Sequence, residues 1–228
     1  MSTEAPLSGR EAGAAPDVQI LATEHWSLLA TRALTYNEAL SRVTIFLAIL
    51  SGALIALALV AQADHFGPIF ISIAIPMLAV VLFAGLTTIS RLMMLNRDDY
   101  RWVVGMNRLR HAYLELRPGL ERYFIGSPYD DLPGALQTLG IDVTAGRGLG
   151  SVFHVPQTLP GMLSVIVAAL AAAIVALGGV AIGIPRFGVG LAAAAAFVLA
   201  LVLLGIWGRR SIKGSDPSLA PRFPSPSG

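Results

Sequence analysis

Two uninterrupted apolar runs constrain this chain more than anything else in it. Val43–Ala61 and Pro68–Ile89 contain no Asp, Glu, Lys, Arg or His, and only Gln62–Gly67 separates them. A helix of roughly 20 residues crosses a hydrocarbon core of about 30 Å. Lipid offers no water to backbone amides and carbonyls, so each run satisfies them internally as a helix. Two further runs, Met162–Ile184 and Phe187–Trp207, meet at Pro185-Arg186. The expected fold is therefore all-α and polytopic, with four transmembrane helices at about 43–61, 68–90, 162–184 and 187–207. Composition agrees: 13% of residues are charged, against about a quarter in soluble domains, and the mean hydropathy is +0.69.

Outside the first pair of runs the periodicity changes. Ala22, Trp26, Leu29, Ala33, Tyr36, Leu40 and Val43 recur at alternating steps of four and three, a heptad-like seam. Leu92, Leu95, Asp99, Trp102, Met106, Leu109, Tyr113 and Leu116 do the same, broken only by Asp99. No Pro or Gly separates the first seam from its apolar run. Residues 17–117 thus read as one long helical hairpin, extending from the first two spans into the cytosol, with Asp17 as N-cap and Pro118-Gly119 as the stop. Pro76 falls inside the second span and predicts a kink. Trp26, Tyr36, Trp102, Met106 and Tyr113 are the candidate helix-packing or partner-interface residues.

The remaining segments differ in character. Residues 1–16 read as a disordered tail, and 118–160, rich in Pro and Gly, as a loop-rich cytosolic insert with a short helix around Leu132–Leu139 capped by Asp131. Residues 161–208 form a second transmembrane hairpin, and 209–228 a basic stretch followed by a disordered Pro/Ser-rich end. Small residues recur every four positions at Ala48, Gly52 and Ala56, at Gly179 and Gly183, and at Gly188, Ala192, Ala196 and Ala200, the spacing that lets helices approach closely in lipid.

Charge placement orients the chain. Three basic residues precede the first span, eight lie in 91–157 and four follow the fourth span; Gln62–Gly67 has none and the second turn only Arg186. By the positive-inside rule both termini and residues 91–160 are cytoplasmic, in a multi-pass protein of the inner (cytoplasmic) membrane. Arg91, Arg97, Arg209 and Arg210 lie where they would meet anionic lipid headgroups.

The chemistry on offer is sparse. Cysteine is absent, which removes disulfides and thiolate sites. No span carries an ionisable residue, which argues against a proton- or sodium-coupled transporter. GxxxxGK[ST], HExxH and GxSxG are all missing, so no enzyme, cofactor or metal site is expected. Asp130-Asp131 reads as capping and loop solvation, with a divalent cation as the alternative. A formal net charge of +2 gives no reason to expect nucleic acid.

Residues 96–131, NRDDYRWVVGMNRLRHAYLELRPGLERYF…SPYDD, and the preceding EHWSLLATRALTYNEALSRVTIFLAILSGALIALALVAQ resemble an uncharacterised family of bacterial four-span membrane proteins. The layout of helix, two spans and helix is also similar to the SLATT class of predicted pore-forming membrane effectors, from which the last two spans depart. The resemblance implies a membrane location and no particular activity. Three functions remain open: a self-associating, homo-oligomeric pore-like or structural membrane protein with a cytosolic helical vestibule; a membrane-anchored regulatory module binding a cytosolic protein; and a transporter of a small neutral solute.

Overall fold

A computed structural model describes residues 8–140, 158–212 and 217–226, without side chains at 8–15 and 209–212. All regular structure among these residues is helical. Five α-helices run in chain order: α1 (Ser8–Asp64), α2 (Pro68–Leu116), α3 (Leu132–Thr138), α4 (Leu159–Ala181) and α5 (Arg186–Ile212). Short 3-10 helices occupy Pro118–Tyr123 and Pro217–Leu219. Four of the α-helices, all but α3, are long and apolar enough to cross a membrane.

The chain divides into two compact units. The first comprises the described residues within Met1–Tyr36, Arg97–Gly146 and Ser215–Gly228; the second those within Asn37–Asn96 and Arg147–Gly214. Helices α1 and α2 contribute to both.

In the second unit the core gathers residues from four helices. Val43, Phe46 and Leu57 of α1, Ala74, Leu78, Val81 and Ile89 of α2, Leu163 and Val167 of α4, and Leu204 of α5 are buried together. Close approach is set at Gly85, where a Cβ would lie 2.6 Å from Val167 Cγ2 and 3.1 Å from Phe46. The α1–α2 turn places His65 and Phe66 at positive φ, 48° and 60°, and the Asp64 carboxylate accepts from the Phe70 amide at 2.7 Å, satisfying a donor that the start of α2 leaves free. Between α4 and α5 the expected GxxxG pair does not form. Helix α4 ends at Ala181, and Gly183, at φ 77°, is the left-handed residue of a Schellman closure in which the Ile184 amide donates to Gly179 and the Gly183 amide to Val180. Gly179 itself is buried and packs on Val189. Ala48 and Gly52 face outward, with nothing near Gly52. Phe187, Leu191, Val198, Leu199 and Leu203 leave α5 the most exposed of the apolar helices.

In the first unit two boundaries differ from the sequence expectation. Helix α1 starts at Ser8 and carries Pro16 inside it. The Glu11–Ala15 stretch is rich in strong helix formers, and the single backbone bond that Pro16 removes does not stop it. Residues 217–226, expected as a disordered end, instead form an ordered strap held by the insert. The reason is the set of partners that folding brings to them, described next.

Candidate functional site

The face of α1 that turns toward α2 in the first unit is not the apolar seam. Trp26 is 71% exposed and Tyr36 61%. The half-buried positions are Leu21, Ala22, His25, Leu28, Thr31, Arg32 and Thr35, and Leu21, His25, Leu28, Arg32 and Thr35 each lie one residue before a seam position. This displacement rotates the contact face by about 100°, since successive helical residues are that far apart. Arg32 Nε donates to Asp99 Oδ1 at 2.6 Å, so the one residue that interrupts the α2 seam is the partner of a side chain lying off the α1 seam. His25 stacks on Tyr113 at 6.1 Å, and Leu28 closes on Gly105. Trp26 and Tyr36 are therefore left mostly exposed. Along the α2 seam Met106 is buried, Trp102, Leu109 and Tyr113 are half-buried and Leu116 is exposed. The Trp102 Nε1 is buried with no hydrogen-bond partner among the described residues.

In the second unit the same helices are joined by Glu38, which accepts from Arg91 at 2.9 Å and from Arg42 at 2.8 Å. The Arg91 and Arg42 hydrogen bonds hold the Glu38 carboxyl down at about 2. Arg91, a candidate lipid contact, is thus engaged in an interhelical ion pair; Arg97 is exposed, and the side chains of Arg209 and Arg210 lie outside those described.

Another face of α2 carries the insert and the strap. Asn107, fully buried, is the hub: its Nδ2 donates to the Tyr129 carbonyl at 2.7 Å, while its Oδ1 accepts from Arg110 at 2.7 Å and from the Thr138 hydroxyl at 2.9 Å. Thr138 in turn accepts from the Ser127 amide. Gly126 lies against the Arg110 guanidinium, where a Cβ would meet Cζ at 2.6 Å. Burial, with the Arg32 charge in support, lowers the Arg110 pKa, and burial and Arg110 together lower that of His25. Val103, Val104 and Ala135 make a small core to which Tyr100, Leu139 and Leu219 add.

Asp130 and Asp131 are the centre of the clasp. Asp130, 1% exposed, accepts from Arg108 Nε at 2.7 Å and from the backbone amides of Arg222 and Phe223 at 2.9 and 2.8 Å. Its own amide donates to the Phe223 carbonyl at 3.1 Å. Asp131 caps α3 through the Gly134 amide at 3.0 Å and accepts from the amide and hydroxyl of Ser225. Arg108 also donates to the carbonyls of Ser218 and Ala220. The Phe223 ring stacks on His111 at 4.0 Å. Burial pushes both carboxyls up, but the donors outweigh it and hold each below its ordinary value. No cluster of three or more metal-ligating groups occurs among the described residues; Asp131 caps α3, whereas Asp130 caps no helix and accepts from Arg108 and the strap amides.

Sequence reading missed Asn107 and the strap. The available signals were an amide inside an apolar helical stripe, and Leu219 and Phe223 standing alone among prolines. No protein-family model, curated protein or solved structure matches this chain. The architecture defines its class: an all-helical chain with four helices suited to a multi-pass membrane protein.

Proposed function

We propose that the chain is a self-associating membrane protein of the pore-like or structural kind, in the cytoplasmic membrane, with residues 91–160 and both termini cytosolic. One observation carries this reading. From Trp26 to Leu40 the 3-4 stripe on α1 is left open, with Trp26 71% and Tyr36 61% exposed, because the hairpin closes through His25, Arg32 and Asp99 instead. A stripe at heptad spacing suits another helix, and copies sharing one bilayer and one topology run parallel, so like positions meet. Ala48 and Gly52, exposed on α1 in the second unit, add a small-residue surface that permits close helix approach in lipid. The spans carry no charge, which argues against a proton relay or an ion-coupled transport site in them.

The test is the oligomeric state of protein extracted in native lipid, read by single-particle electron microscopy, for the natural chain and for Trp26→Ser/Tyr36→Ser. Particles holding several copies are expected for the first and smaller ones for the second; monomers in both would remove the proposal. The second reading, a docking module for a cytosolic protein, draws on the same exposed aromatics. Photo-crosslinking from position 26 in cells separates the two, because self-association yields adducts of the chain with itself.

A further inference from the structure

Strap and clasp have the chemistry of a ligand in a binding site. The polar contacts read mainly main chain: Asp130 takes the amides of Arg222 and Phe223, Asp131 takes that of Ser225, and Arg108 takes the carbonyls of Ser218 and Ala220. Two side chains anchor the segment, Leu219 in the small core beside Val103 and Phe223 on His111. Main-chain pairing for affinity and spaced side-chain anchors for selectivity are how proteins hold extended peptides. Proline placement fits. Pro221 and Pro224 have no amide hydrogen, and they flank the amides the site uses at 222, 223 and 225. Their fixed φ pre-orders the segment and lowers the entropy lost on docking. None of these contacts depends on the strap being joined to the rest of the chain.

We propose that the Arg108–His111–Asp130–Asp131 clasp is a recognition site for an extended, proline-interrupted peptide with an aliphatic anchor followed four residues later by an aromatic one, and that residues 217–226 are its resident ligand in cis. The segment is then a latch that an equivalent peptide in trans displaces. Its tether gives it a high effective concentration, so a competitor wins only when the resident copy is weakened or the competitor is abundant. The inference is independent of self-association, because the site lies within one unit.

The test uses the full chain in lipid nanodiscs and a fluorescently labelled peptide of residues 217–226, PSLAPRFPSP. In Phe223→Ala the resident segment loses its aromatic anchor. We expect this variant to bind the peptide saturably and at least tenfold more tightly than Phe223→Ala/Asp130→Asn does, and a peptide of the same composition in scrambled order not to bind. Should Asp130→Asn disturb folding, read by faster hydrogen exchange across residues 97–116 of α2, Arg108→Gln at the rim of the site replaces it with the same expected loss. In the natural chain, saturating free peptide should speed exchange at the Arg222 and Phe223 amides at least tenfold. No saturable binding to Phe223→Ala, equal binding of the scrambled peptide, undiminished binding by both site variants, or unchanged exchange at 222 and 223 under saturating peptide would each overturn the proposal. Oligomer size is measured in the same samples, so failure here and failure of the self-association reading are distinguishable.

Discussion

At the scale of single residues, the clasp rests on the buried polar groups Asn107 and Asp130. Asp130 illustrates the energetics. Its carboxylate is buried against two amides and a guanidinium, and a hydrogen bond to a charged group contributes about 1.5–3 kcal/mol. Asp130→Asn keeps the shape and loses the charge, and should weaken strap docking by about 2 kcal/mol, seen as faster exchange at the Arg222 and Phe223 amides.

Acid should release the same contact. The facing groups are Arg108 and Tyr100 on α2, Asp131 beside it and the strap amides; burial and the two aspartates raise the Tyr100 pKa. Both aspartyl pKa values are depressed in the folded state. Their contribution is therefore complete above the ordinary carboxylate value of about 4 and is lost as pH falls through the lower folded values. Proteolysis after Arg222 should be slow from pH 8 down to 5 and accelerate only below about pH 4, assayed with an acid-tolerant protease. Gly134 sits at the same joint, where a Cβ would clash with the Tyr129 backbone carbonyl. Gly134→Ala forces backbone to move and should cost about 1–3 kcal/mol of local stability, read by exchange over 127–139.

At the scale of elements, α1 and α2 show why a stripe and an interface are not the same thing. On α2 the stripe is buried at Met106, which is 5% exposed, and Met106→Ala should destabilise the fold by about 2–4 kcal/mol, measured as a lower unfolding temperature in detergent. On α1 stripe and interface diverge by one residue. Trp26→Ser/Tyr36→Ser should leave the unfolding temperature of the monomer nearly unchanged, since exposed sites usually shift stability by within about 0.5 kcal/mol, while reducing the assembly. Arg32→Ala breaks the bridge to Asp99, which is about one-third exposed on both sides; water and salt screen such a pair, so the loss is about 1 kcal/mol or less. The pair is worth more as a register mark than as a source of stability, because only one alignment of α1 and α2 brings both charges together.

At the scale of the whole molecule, the topology proposal has a direct check. The chain contains no cysteine, so single cysteines report sidedness without background. His65→Cys, in the α1–α2 turn, should react with a membrane-impermeant maleimide on intact spheroplasts, whereas Arg117→Cys should react only after permeabilisation. The reverse pattern would invert the topology and with it the cytosolic assignment of the clasp.

The four membrane-suited helices, and the joints between consecutive spans, were legible in the residues alone. Uncharged runs of this length have one backbone solution in lipid, whatever surrounds them. The helix capped by Asp131 was legible too, since a cap is a local contact between residues three apart. Tertiary structure decided what depends on distant partners. It turned α1 onto its polar side because Asp99 and Tyr113 of α2 wait there for Arg32 and His25. It ordered residues 217–226 because Asp130, Asp131 and Arg108, more than ninety positions away, present the donors and acceptors that an isolated Pro/Ser-rich segment would find only in water.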